Sequence, residues 1–207
     1  MAPVSDTEAM RRAIALARSR MGYTWPNPAV GCVIVKDGAI IGEAATANGG
    51  RPHAEEQAVP AAGEAARGAT AFVTLEPCGA RSSGRTSCAS HLVEAGISRV
   101  VVACLDPSPF ASGRGIARLE AAGLTVETGL LAEEALGLCE GFVHRLRTGR
   151  PLLEVSAEGT GYDGRYTAAL GADHEAELLR LGEAGYTRLH VLPGPLAEAL
   201  REKRLLA

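Results

Sequence analysis

An α/β fold is predicted for this 207-residue chain: a mixed, mostly parallel sheet in a three-layer α/β/α sandwich, opening with an antiparallel hairpin. Three observations predict it. Strand-like and helix-like segments alternate from about Val30 to Val126, and such alternation sets successive strands in parallel through helical crossovers. The run AVGCVIVKDGAIIGEA is broken at Asp37-Gly38, a dipeptide that tolerates the positive φ of a tight hairpin turn. RVVVACL is a short continuous apolar run, the pattern of a strand covered on both faces.

The elements follow in order. Ser5 and Glu8 form a capping-box start, after which Met10, Ala13, Ile14, Ala17 and Met21 recur at helical spacing. Beyond Pro26 and Pro28 comes the hairpin. His53 to Ala66 is Ala- and Glu-rich and helical, with Pro60 expected to kink or interrupt it. ATAFVTL returns to strand character, a helix runs from about Cys88 to Ala95, and Gly96 ends it before RVVVACL. A helix from about Gly115 to Ala122, a strand around Leu124 to Val126 and a helix from Leu131 to Leu146 complete the series. Thr148-Gly149-Arg150-Pro151 reads as a linker. The remainder offers a strand at Leu152 to Val155, a Gly-rich turn at Gly159 to Gly164 and two short helices flanking TRLHVL, too little to predict an independent core.

Composition excludes several classes of function. With 46% hydrophobic and 22% charged residues the chain is globular and not generally disordered. The balance of 21 basic against 24 acidic residues lacks the net positive footprint of a nucleic-acid binder. The longest apolar stretches, Val30 to Val35 and Val100 to Leu105, fall far short of the roughly 20 residues of a membrane-spanning helix. MAPVSDTEAMRR lacks the basic start and apolar core of a secretory signal, so a cytoplasmic location is expected. The five cysteines, Cys32, Cys78, Cys88, Cys104 and Cys139, are too few and odd in number for a disulfide framework, which leaves metal binding or burial.

The chemistry concentrates in His53-Ala54-Glu55, Pro77-Cys78 and Cys88. One histidine and two cysteines supply three N/S ligands and leave the fourth position of tetrahedral Zn²⁺ open, as a catalytic site requires. Glu55 stands where a base is needed, and HxE followed by PC and a second Cys is the pattern of zinc nucleobase deaminases. If His53 and Cys78 each start a helix, both helix N-termini aim N–H groups at one point and favour the thiolate. Other readings stay open: a closed structural metal site, in which Glu55 would have no task, and His91 as a ligand at i, i+3 from Cys88. Cys32, Cys104 and Cys139 read as core thiols. Glu76 reads either as a carboxylate orienting the metal site or as a loop residue bonded to backbone. Ser112 to Gly115 reads either as a phosphate contact through Arg114 or as a turn into a helix. His144, His174 and His190 lack neighbouring ligand types and read as solvated or packing residues.

NPAVGCVIVKDG, RPHAE, VTLEPC, GRTSC, EAGISRVVVACLDPSP, SGRGI and EGFVHRLRTGRP, in this order, resemble the deaminase domain of the bacterial riboflavin-pathway deaminase/reductase family. The resemblance implies a cytidine deaminase-like fold over residues 1–148, with His53, Cys78 and Cys88 holding one Zn²⁺ per chain and Glu55 as catalytic proton shuttle. It implies hydrolytic removal of the ring amine of 2,5-diamino-6-ribosylamino-4(3H)-pyrimidinone 5′-phosphate, a cyclic-amidine reaction, with Asn27, Arg85, Thr86, Asp106 and Ser108 in contact with substrate. Arg85-Thr86 falls where the family has Lys-Thr, and an arginine can hold phosphate bidentately. Two family histidines are replaced: one after the EPC motif, where this chain reads Cys78-Gly79-Ala80-Arg81, and one at Thr46 or a neighbour.

GRPLLEVSAEGTGYDGR and LGEAGYTRLHVLPGPLAEAL resemble the opening and a late segment of the family's reductase domain, whose middle is missing here. Residues 149–207 are therefore expected to be a docked, noncatalytic remnant, with no NADPH site and no reductase activity, so a separate reductase must take the next step. The family also implies a homo-oligomer. The alternatives to this function are a deaminase of another nucleobase, nucleoside or tRNA adenosine, and a noncatalytic zinc-bound scaffold.

Overall fold

The computed structural model describes residues 2–80, 86–108 and 111–207. Ser5 caps α1 (Asp6–Arg18), its side chain accepting from the Glu8 N–H while Glu8 bonds back to the Ser5 N–H, so the predicted capping box is formed. β1 (Gly31–Lys36) and β2 (Ala39–Ala45) make the predicted hairpin, with Asp37 and Gly38 both at positive φ, 51° and 75°. α2 (Ala54–Ala62) tolerates Pro60 near its end; the predicted interruption falls just beyond, where a 3₁₀ turn takes over at Gly63–Ala66. β3 (Thr70–Leu75), α3 (Cys88–Glu94), β4 (Arg99–Cys104), α4 (Arg114–Ala121), β5 (Thr125–Thr128) and α5 (Ala132–Thr148) follow.

The sheet order is β2-β1-β3-β4-β5. β1 is antiparallel to both β2 and β3, whereas β3, β4 and β5 are parallel. The one reversed strand thus lies second in the sheet, inside it, and β2 forms the edge. The reason is the crossover through α2, which carries the chain from β2 over β1 to a parallel β3.

Two apolar layers follow from the alternation of side chains along the strands. Cys32, Ile34, Ala71, Val73, Val100 and Val102 pack against α2, α3 and α4, while Val33, Phe72, Leu75, Val101 and Ala103 pack against α1 and α5. Phe72 and Met10 are almost completely buried, each contributing roughly 1.5 to 3 kcal/mol. Cys32, Cys104 and Cys139 are buried in these layers, as core thiols should be.

Gly149 ends α5 in the left-handed region, and the chain enters the C-terminal segment almost at once. There β6 (Leu152–Val155), β7 (Gly164–Arg165), α6 (His174–Glu183), β8 (Arg188–Val191) and α7 (Pro195–Glu202) build a parallel sheet of order β6-β8-β7. It has an apolar cluster of its own, including Leu153, Tyr166, Leu178, Leu189 and Leu200, which the sequence did not predict. His174 and His190 are buried there as packing residues, His174 bonded to the Tyr166 hydroxyl. Among the described residues no helix is long and apolar enough to cross a membrane.

Candidate active site

Two helix starts and one strand end converge beside the first layer. His53 is the N-cap of α2; its N–H donates to Glu56 at 2.7 Å, and Gln57 Nε2 donates to the carbonyls of Ala45, Pro52 and His53. These bonds tie the RPHAE turn to the end of β2 and fix where the imidazole stands. Cys88 opens α3 behind its Ser87 cap, whose hydroxyl accepts from Ser90 N–H. Cys78 lies in the loop after β3 between Pro77 and Gly79, contrary to the expectation that it starts a helix. Its sulfur still meets a helix N-terminus, because the Cys88 N–H donates to Cys78 Sγ at 3.3 Å.

The ligating atoms of His53, Cys78 and Cys88 all lie within 4.8 Å of one another, and His53 Nδ1 is 3.2 Å from Cys88 Sγ. Tetrahedral zinc with Zn–N near 2.0 Å and Zn–S near 2.3 Å requires N···S separations of about 3.5 Å, so this donor set fits the ion. The other ring nitrogen, Nε2, is buried without a hydrogen-bond partner among the described residues, a deficit that a group bound in the cleft would relieve. His91 is not part of the cluster.

Glu55, in the first turn of α2, is 2% exposed. Burial pushes its carboxyl above the ordinary range, with the neighbouring His53 charge opposing the shift. The cleft that it lines has a volume of about 160 Å³, comparable to the roughly 150 Å³ that admits a benzene ring. Asn27, Thr46, Asp106 and Ser108 line it too. Asn27 Nδ2 donates to the Gly50 carbonyl at 2.9 Å, and Asp106 Oδ1 accepts the Ser108 N–H at 2.8 Å. Burial also raises the Asp106 carboxyl. Thr46, which the family resemblance puts at or next to a replaced histidine, accepts the Val30 N–H at 3.0 Å.

Thr86 is exposed and is not among the described residues lining the cleft, and Arg85 lies outside the described residues. Conversely, Arg51 and Phe142 line the cleft and carried no site assignment from the sequence. Arg51 directly precedes the Pro52-His53 turn, a signal that was legible. Phe142 lies within the EGFVHRLRTGRP motif but was given no role there, and the packing of α5 brings it to the cleft.

Glu76 takes the backbone role. Its carboxylate accepts the N–H groups of Asp106, Gly113 and Gly115 at 3.4, 3.1 and 3.2 Å. The Ser112–Gly115 turn is therefore wrapped around a carboxylate, which fills the place an anion would take. A side chain at Gly115 would strike the Pro77 carbonyl oxygen. Hydrogen bonds to a charged group contribute about 1.5 to 3 kcal/mol each, and the loss is smaller where a bond is long or water takes the vacated place. Glu76→Ala is therefore expected to lower the unfolding free energy by about 2 to 4 kcal/mol, with Glu76→Gln losing less. Urea denaturation of both variants checks this, and equal losses would contradict the role of the carboxylate.

The chain matches the cytidine and deoxycytidylate deaminase zinc-binding region over residues 3–104. It is 48% identical over 169 residues to the riboflavin biosynthesis protein RibD of Escherichia coli, covering 81% of this chain and 45% of that one. It thus spans about half the length of such relatives. The diaminohydroxyphosphoribosylamino-pyrimidine deaminase of Buchnera aphidicola is 46% identical over 149 residues, which are 72% of this chain and all of that protein. Among solved structures, RibD of Acinetobacter baumannii superposes with a TM-score of 0.79 at 27% identity, covering 97% of this chain and 84% of that one.

Proposed function

The chain belongs to the riboflavin-biosynthesis deaminase family, within the zinc-binding cytidine and deoxycytidylate deaminases, and from that premise we propose that it hydrolyses the ring amine of 2,5-diamino-6-ribosylamino-4(3H)-pyrimidinone 5′-phosphate to a ring carbonyl and ammonia. The observation that carries the proposal is a buried carboxyl, Glu55, in the same cleft as a His53, Cys78, Cys88 cluster of zinc geometry.

His53, Cys78 and Cys88 would hold the zinc, which when bound would supply Lewis acidity that lowers the pKa of water towards about 7. Glu55 accepts one proton from water and gives it to the ring nitrogen next to the carbon under attack; it then takes the proton of the hydroxyl now on that carbon and passes it to the amine, which leaves as ammonia as the C–N bond breaks and the C=O bond forms. Burial raises the Glu55 carboxyl above its ordinary range, the direction that makes it a better proton acceptor. Asn27, its amide oriented by Gly50, and Asp106 with Ser108 are the substrate-binding wall in this reading. Arg51 adds a cation at the same cleft for the phosphate, and Arg85-Thr86 is assigned there from the family motif alone.

Residues 149–207 take no part in a reduction in this reading. What supports it is the small size of their sheet, three strands of order β6-β8-β7. One zinc per chain and a separate reductase complete the proposal.

The test is mass spectrometry of the diaminopyrimidinone ribosyl-phosphate after incubation with zinc-loaded chain. The expected product is heavier by about one mass unit as nitrogen is exchanged for oxygen, with stoichiometric ammonia. No conversion by zinc-replete protein would overturn the assignment of substrate, and the same assay on cytidine, deoxycytidylate and tRNA adenosine would then decide between another deaminase and a scaffold.

A further inference from the structure

The C-terminal segment meets the larger body under one loop of the cleft, Gly22 to Pro28. Trp25 of that loop stacks on Tyr186, ring centroids 4.5 Å apart and planes 18° from parallel. Gly185 lies directly against Pro26: a Cβ there would stand 2.9 Å from Pro26 Cβ, and its φ of +103° suits glycine. Gly22 is pressed against the backbone of Tyr162, where a Cβ would stand 2.5 Å from the carbonyl oxygen. Arg145 of α5 bridges the two bodies, donating to Pro26 O at 3.2 Å and Gly182 O at 3.3 Å.

The next residues in this loop are Asn27 and Pro28, both lining the cleft. Pro26 and Pro28 have no N–H to donate, so few backbone bonds can hold the segment. Those present among the described residues include Tyr23 N–H to Arg20 O and Asn27 N–H to Thr24 O, each at 3.1 Å, and Gly49 N–H to Tyr23 O at 2.8 Å. Asn27 Nδ2 to Gly50 O and Arg145 to Pro26 O add side-chain bonds from the larger body, and the C-terminal segment adds the Tyr186 and Gly185 packing.

We propose that the C-terminal segment is a positioning element of the cleft: Tyr186 and Gly185, with Arg145 as the bridge, clamp Trp25-Pro26 and thereby preorganise Asn27 towards the substrate. What Asn27 meets rests on the reading given under Proposed function; the clamp itself does not. Tyr186 and Arg145 are positioning residues, since they reach the cleft only through the loop. A preorganised wall lowers the cost of ordering a loop on binding, so loss of the clamp acts on KM more than on kcat.

The test uses the full chain with Tyr186→Ala and Tyr186→Phe, plus Arg145→Met, which cuts the bridge and leaves the stack. Trp25 is the single tryptophan, so tryptophan emission reports this loop directly. Tyr186→Ala is expected to shift the emission to the red, to speed hydrogen exchange across residues 22–28, and to leave zinc content unchanged. KM is expected to rise about two- to tenfold, the factor matching the 0.5 to 1.5 kcal/mol of an aromatic pair, with kcat changed less than about twofold. Tyr186→Phe keeps the ring stack and is expected to behave as wild type. Arg145→Met keeps the test decisive should Tyr186→Ala fail to fold, with the same change expected in exchange and in KM. Unchanged emission and exchange in the folded variants overturns the clamp, and loosened exchange with unchanged KM overturns its role in the cleft. If wild type does not turn over the substrate, the functional reading fails by itself, and emission and exchange still decide the clamp.

Discussion

Glu55→Gln is expected to lower kcat by about 10²- to 10⁴-fold, the span that general acid–base catalysis by one positioned group supplies, with zinc content and substrate affinity retained. The side chain is buried beside the metal-binding cluster, and the amide keeps its volume but can neither accept nor return a proton. Loss of activity through misfolding has a distinct signature. A carboxyl whose pKa is raised on folding costs stability above its unfolded value of about 4.3, progressively up to the folded pKa, and that cost persists at higher pH. Burial imposes this shift on Glu55, against the opposing His53 charge. The zinc-free Glu55→Gln chain is therefore expected to melt no lower than zinc-free wild type at neutral pH. Single-turnover kinetics with calorimetry checks both statements; near-wild-type kcat in a zinc-loaded variant would remove Glu55 from the chemistry.

Cys88→Ala is expected to abolish stoichiometric zinc binding and, with it, at least about 10²-fold of activity, since removing a ligand should cost no less than the 10- to 100-fold of removing a ligand's outer partner. The substitution is gentle on the fold. Cys88 is the first residue of α3, where alanine is well accommodated, and its N–H, which donates to Cys78 Sγ, is kept. Zinc that binds only the native state stabilises by RT ln(1 + [L]/Kd), about 2.7 kcal/mol at a hundredfold excess over Kd. Wild type should thus gain melting temperature on zinc addition and lose it on chelation, while Cys88→Ala responds to neither. Metal analysis after dialysis and melting curves with and without zinc read this out. Full zinc occupancy in the variant would show that the cluster is not the metal site.

Local rules made most of the fold legible. The capping box at Ser5 and Glu8, the Asp37-Gly38 turn and the strand alternation each depend on residues a few positions apart, and all are formed. The ligand trio was legible for a different reason: chemistry restricts it to a few residue types, and the motif order identifies which copies count. Glu76 shows where such reading stops. Its sequence neighbours allow either a metal-orienting or a loop-bonding role, and the choice lies with Asp106, Gly113 and Gly115, residues 30 to 39 positions away.

Sequence alone thus determined the three-layer class, the choice of His53, Cys78 and Cys88 as candidate metal donors, of Glu55 as candidate base, and the family to which the chain belongs. Tertiary structure decided that β1 is the reversed strand inside the sheet, that Phe142 and Arg51 line the cleft, and that the last residues form a small core seated under the Trp25 loop. The division has one physical reason. Capping, turn chemistry and strand periodicity are short-range and are written into neighbouring residues, whereas a cleft wall is made by surfaces that only the packing of distant helices and strands brings together.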